Sequence, residues 1–298
     1  MQRTATWTRV GTDVTGQTSV ADILREASLD YTVVKEPIYL QGGVQIPDRV
    51  ATLKAETRTP IGIVSPKYEI YQNADAFSFL EEIPGIEFVR AGESRNGTVY
   101  IIGKLPEVKV MDDAFNPYVI FQNGHTGWIS LKATICPLRI VCQNQFAMSF
   151  GKMANTISIH HSSQLASRLM EAQSLLTDVA TYMNGFTNTA EELALLKITE
   201  ADRYKICDAF FESAKAITDR QKDTVALKIA QFNNCYNAED NANFKGTAWG
   251  LMNALTDYET HKERKQTEAS IDSAFMSVTF DTSLLSRMMN IVKQTVVA

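Results

Sequence analysis

The side chains best suited to chemistry fall into three groups. In WISLKATI (128–135), strand alternation would place Trp128, Ser130 and Lys132 on one face and Ile129, Leu131 and Ala133 on the other. An indole, a hydroxyl and an ammonium on one face could stack a base and neutralise a phosphate, as single-strand binders do. A half-exposed sheet face with ordinary polar decoration would read the same way. In PLRIVCQN (137–144), alternation sets Arg139 with Val141 and Gln143, away from Leu138, Ile140 and Cys142. Its stem can pack on Val141 while the guanidinium reaches an anion, either a carboxylate or a phosphate. The stretch IEFVRAGESRNGTVYIIGKLP adds Arg90 and Arg95, with Lys104 on the returning arm, although Glu87 and Glu93 dilute that charge.

The second group is Cys142, Asn144, His160 and His161. A cysteine beside a histidine is the minimal nucleophile pair, but spacing supplies no third group to orient the base. The four cysteines (Cys136, Cys142, Cys207 and Cys235) form no CxxC pair, so reduced structural thiols are expected. The third group is a helical stripe of Trp249, Asn253, Asp257 and His261 at four-residue intervals. It suits a buried polar network that joins two halves of the molecule, or else a binding site. The doublet Asp112-Asp113 could bind a metal, but it reads as a solvated loop pair.

Other chemistries lack support. There is no GxxxxGK[ST] loop, no GxGxxG after a strand, no GxSxG and no HExxH. With only 4 histidines, no metal centre and no cofactor are expected. An enzyme or small-ligand binder built on Cys142, Asn144 and His160 stands as the alternative to a non-enzymatic binder. A protein-interaction factor acting on a host or defence component is a third class.

These residues must be positioned by two kinds of element. Before residue 160, short β-rich runs dominate, with a short helix at 19–27 and another at 73–83 whose N-cap would be Asn73. Asn96-Gly97 marks the clearest hairpin. After residue 160, amphipathic helices are expected at 163–184, 189–197, 200–217, 220–232, 245–263 and 283–296. The fold class is therefore α+β: a mostly antiparallel sheet with a β-hairpin and a long packing helix, then a helical C-terminal half. The domain reading is 1–160 for the sheet and 161–298 for the helical part, packed as one unit.

Net charge is −5, and neither half is basic, so any hold on nucleic acid must come from a local patch. No apolar run is long enough to span a bilayer and MQRTATWTRVGTDV has no leader-like apolar core, so a cytoplasmic protein with no membrane partner is expected.

The strings themselves resemble a known family. ICPLRIVCQNQF, followed by SIHH and a long helix, resembles the phage/plasmid-like proteins of domain of unknown function 932. The matching residues are Arg139, Ile140, Val141, Cys142 and Asn144, then Ile159 with His160 or His161. GTAWGLMNALTDYETH is similar to a later block of that family through Gly246, Thr247, Trp249, Asn253, Ala254, Thr256, Tyr258 and His261. SPKYEIYQNADAFSFLEEI is similar to an early strand–helix block. The chain departs at Gln145, where Thr is common, and at Asn-Thr-Ile-Ser before the histidines, where an aromatic is expected. The resemblance implies a phage or plasmid setting, often among replication and recombination genes. A remote, fold-level likeness to phage single-strand annealing proteins (Red-beta, RecT, Erf and Rad fifty-two type) implies single-stranded DNA as partner and a homo-oligomer. The expected contacts are Arg139, Lys132, Arg95 and Lys104 on phosphates and Trp128 on a base. Cys142, Asn144, His160, His161, Trp249, Asn253 and His261 are expected to hold the architecture.

Overall fold

The computed structural model describes residues 10–111, 113–129, 131–139, 144–148, 155–158, 165–261 and 281–296, together with Ser270, Ser273, Phe275 and Thr279. The fold is α+β, with antiparallel sheets and a helical C-terminal half.

An 8-stranded sheet runs in the order β1 (Thr12–Asp13), β5 (Glu87–Glu93), β6 (Thr98–Lys104), β8 (Asp113–Gly124), β9 (Lys132–Arg139) and β10 (Asn144–Gln145). Strand β11 (Thr156–Ser158) also pairs with β9, and β7 (Val108–Val110) pairs with β8. A 3-stranded sheet is formed by β2 (Val33–Tyr39), β3 (Gln45–Lys54) and β4 (Pro60–Val64).

Strand β6 reads TVYIIGK rather than alternating with polar residues, because the large sheet is covered on both faces. One face carries Val99, Ile101, Phe115, Val119, Phe121, Ala133 and Ile135 into the main core. The other gathers Tyr100, Ile102, Tyr118, Ile120, Cys136 and Leu138 around Phe275 in a smaller cluster.

Helix α1 (Val20–Glu26) and helix α2 (Asn73–Phe77), which continues as a 3-10 turn over Ser78–Glu82, close one side of the main core. Asn73 is not the cap expected of it. Gln72 occupies that position, and Asn73 is buried with its amide spent on tertiary contacts. The long helix α3 (Leu165–Leu195) runs unbroken through Asn184-Gly185, so the two helices expected at 163–184 and 189–197 are one. Tyr182, Met183, Phe186 and Ala190 are buried on either side of Gly185. Burying such side chains contributes about 1.5–3 kcal/mol each, more than the roughly 1 kcal/mol that glycine costs inside a helix.

Helices α4 (Glu200–Phe210) and α5 (Asp219–Tyr236) each start on a capping box, Thr199 with Asp202 and Thr218 with Gln221. Helix α6 (Ala248–His261) is the hub of the helical half, buried over nearly its whole length. It packs against α3, α5, β10 and α7 (Ser283–Val296). Helix α7 buries Leu285, Met288 and Val292 along one stripe, as its sequence pattern predicts. Gly250 lets the 3-10 turn Glu239–Phe244 lie against α6, since a Cβ there would collide with the Phe244 carbonyl. Among the described residues no helix is long and apolar enough to cross a membrane.

Candidate functional site

The side chains expected to share one phosphate-binding groove lie at opposite ends of the large sheet. Lys132 pairs with Gln122 of β8, whereas Arg139 pairs with Phe115. Those partners are seven residues apart, about 23 Å of strand at ~3.3 Å per residue. Lys104 sits opposite Tyr118, toward the Arg139 end, and is ion-paired to Glu87 at 3.2 Å. Arg95 lies in the β5–β6 turn, at the Lys132 end. The strands that carry these residues are too long for the set to converge.

Arg139 lies on the opposite face from Leu138, as alternation expects, but that face is the main core and not a less apolar side. It shares strand parity with Ala133 and Ile135, which belong to the main core, so it points to the core side and is 2% exposed. A guanidinium so placed requires a partner, and it has one. It donates through Nε to Asp113 Oδ2 at 2.9 Å and through Nη2 to Asp113 Oδ1 at 3.1 Å. Nη2 also donates to the Asp240 carbonyl at 2.7 Å, and the Phe244 ring lies 5.6 Å away. Arg139 therefore clamps β8 and β9 to the 3-10 turn that rides on α6, and its anion is a carboxylate. Asp113, read as half of a solvated doublet, was the missed partner. The β8–β9 register brings it there, and no local pattern reveals that register.

The opposite end is open. Residues 125–129 and Leu131 lie outside any strand, unlike the strand that alternation suggested, and β9 begins at Lys132. Trp128 stands on this loop and is 92% exposed. The loop is nonetheless firmly seated. Thr52 donates its hydroxyl to the His125 carbonyl at 2.7 Å, and Tyr68 donates to the Gly124 carbonyl at 3.0 Å. Gly127 takes a φ of +82°, and a side chain at Gly97 would stand 3.1 Å from the Thr126 methyl, so the hairpin turn and the loop abut. Asn96 organises that turn by accepting from Ser94 Oγ and from the Thr98 amide and hydroxyl. Arg95 is exposed there and Lys132 is half-buried.

Beneath the loop lies a polar cluster that the sequence reading missed. His125 is fully buried, with Nε2 3.0 Å from Asn73 Oδ1. Asn123 donates to the same oxygen at 3.1 Å and to the Tyr71 carbonyl, while Asn73 donates to the Leu29 carbonyl. The Tyr31 ring lies edge-on to His125 with centroids 6.3 Å apart, and Lys54 sits over Tyr31 while pairing with Glu93 at 2.8 Å. His125 Nδ1 and the Tyr31 hydroxyl have no hydrogen-bond partner. Burial drives the His125 imidazole down to about 4; Glu93 opposes the shift and Lys54 adds to it. The ring is neutral at physiological pH, and the cluster acts as a polar brace between the two sheets. Its only local signal was a histidine directly after a strand.

In the α6 stripe Trp249, Asn253 and Asp257 are buried and His261 is half-buried. Trp249 is fully buried, stacked on Phe146 at 5.4 Å and edge-on to Phe186. Asn253 donates to the Trp249 carbonyl at 3.0 Å, and His261 Nε2 lies 4.0 Å from buried Asp257. Gln145 of β10 donates its backbone amide to Thr260 Oγ1 and its side-chain amide to Thr279 Oγ1. A cavity of about 20 Å³ beside Gln145, Thr260 and Asp281 has room for little more than one water. Asn144 pairs with Arg139 through the backbone ladder, and its side chain lies outside the described residues, as do Cys142, His160 and His161 altogether. Of the thiols, Cys136 is fully buried and pushed up to about 12 by burial, and Cys207 to about 11, so both stay protonated at neutral pH. Among the described residues no group of three His, Cys, Asp or Glu side chains could hold a metal ion.

The sequence profile of one family, described as Domain of unknown function (DUF932), matches residues 60–284. No curated protein and no solved structure matches the chain.

Proposed function

The chain belongs to the family described as Domain of unknown function (DUF932), and on that footing we propose that it is a non-enzymatic protein that binds single-stranded DNA. The observation that carries this reading is Trp128, a large indole 92% exposed on a loop fixed from both sides. An apolar ring of that size gains nothing from water, whereas a base stacked on it is worth about 1–3 kcal/mol. Arg95 and Lys132 stand at the same end of the sheet and supply positive charge for the phosphates on either side of that base. The binding element is thus the loop end, without Arg139 or Lys104. The resemblance to phage and plasmid proteins supports a cytoplasmic role in recombination or replication, of the annealing type and with a homo-oligomer as the working form.

The test is titration of a labelled oligothymidylate over a range of salt concentrations. Binding should weaken linearly in log–log form, and removing Lys132 or Arg95 should flatten the slope by about 0.7 each. Trp128→Ala should weaken binding at every salt concentration without altering the slope, because stacking releases no counterions. No binding at low salt sinks the proposal. Light scattering on the eluting protein tests the oligomer.

A further inference from the structure

We propose a second, separate contact for a nucleic-acid backbone in the groove between the Ser213–Lys215 turn and the first half of α5. This groove has a volume of about 330 Å³, and its lining includes Glu212, Lys215, Arg220, Thr224, Val225 and Lys228. Glu212 already pairs with Lys215 at 3.0 Å. Among the described residues no carboxylate pairs with Arg220 or Lys228.

Helical geometry explains why the charge gathers here. Arg220, Thr224 and Lys228 follow at four-residue intervals and share one stripe, whereas the acids of this half, Asp219 and Asp223, fall outside the groove lining. Asp219 engages Lys222 at 3.5 Å on another side of the helix. A chain with net charge −5 thus concentrates uncompensated cations in one concave surface.

The packing points the same way. The buried residues of α5 are Phe232 and Tyr236, both in its last turns. The first three turns project side chains that no core requires, and the capping box of Thr218 and Gln221 holds them in helical form. Arg220 and Lys228 are separated by about 12 Å along the axis at ~1.5 Å per residue, and Thr224 between them donates its hydroxyl to the Arg220 carbonyl. That span suits phosphates two steps apart on one strand rather than a lone anion. This site does not depend on the Trp128 loop.

The experiment uses the full chain, fluorescence anisotropy with a labelled oligothymidylate, and Arg220→Ala/Lys228→Ala beside Trp128→Ala. Both cations are exposed, so thermal melting should show the double variant folded as the parent is. The double variant should flatten the salt slope by about 1.4 and bind roughly ten-fold more weakly near 0.15 M salt. A parental slope and affinity in the double variant overturns the proposal, whatever Trp128→Ala does. Loss in the double variant with none in Trp128→Ala upholds this groove and removes the loop reading. Displacement of the strand by inorganic phosphate at constant ionic strength identifies a pocket for the free ion and overturns the backbone assignment.

Discussion

The two ends of the large sheet treat their cations in opposite ways. At one end Arg139 is sealed under the helical half, held by both oxygens of Asp113 and by a backbone carbonyl. At the other, Arg95 and the Trp128 indole stand in solvent on a turn and a loop that are themselves tightly tied down. The same residue type is structural where the sheet is roofed and available where it is not. Composition cannot distinguish the two cases, because what differs is the neighbour across the strand. A buried guanidinium loses its hydration and must recover it from fixed partners, whereas an exposed one keeps its water until a ligand arrives.

The sharpest way to break this contrast is Arg139→Ala. Removing one member of a buried pair strands the other, so the variant should lose about 3–5 kcal/mol in urea denaturation. The companion variant Arg139→Met/Asp113→Leu removes both charges and should recover much of that loss. In conditions where the chain stays folded, strand affinity should keep its parental salt slope. A stable Arg139→Ala protein with a flattened slope would show that this arginine meets phosphate after all and that the closed end is open.

How much of this was legible follows from the range of the interaction. The β5–β6 hairpin was readable because Asn96-Gly97 closes it locally, and α7 because Leu285, Met288 and Val292 repeat at helical spacing. The Arg139 clamp was not, since Asp113 lies 26 residues away and Asp240 lies 101 away. The loop at 125–129 was misread for a different reason. Trp-Ile-Ser-Leu-Lys alternates as a strand does, but Thr52 and Tyr68 capture the carbonyls of His125 and Gly124 and delay β9 until Lys132. Asn73 shows the same override, giving its amide to Leu29 and its oxygen to Asn123 and His125 instead of capping α2.

The His125 brace sharpens the comparison from below the open end. Its folded-state value of about 4 lies under the ordinary 6.5, so below pH 6.5 the unfolded chain takes up a proton that the folded chain refuses. The contribution is therefore complete above that value and is lost progressively as pH falls from about 6.5 to about 4. At about 1.4 kcal/mol per unit the full loss is about 3 kcal/mol. Urea midpoints between pH 7 and pH 4.5 should fall with this profile, and His125→Gln should flatten that part of it. If the variant keeps the parental profile, the brace titrates elsewhere and the loop above it is held by other contacts.

The smallest expected effect completes the contrast. Trp128 packs on nothing, so Trp128→Ala should change stability by no more than about 0.5 kcal/mol, as surface substitutions generally do. Trp249→Ala empties an aromatic cluster formed with Phe146 and Phe186 and should cost about 3–5 kcal/mol. The two indoles can also be told apart in one folded protein. With Trp7→Phe removing the third tryptophan, iodide should quench the Trp128 emission and leave the Trp249 emission intact. Adding oligothymidylate should then protect the quenchable indole, since a base stacked on the ring excludes the ion. If the strand binds while Trp128 stays fully open to iodide, the loop holds DNA by charge alone. The indole would then mark a different contact from the one Arg95 and Lys132 make.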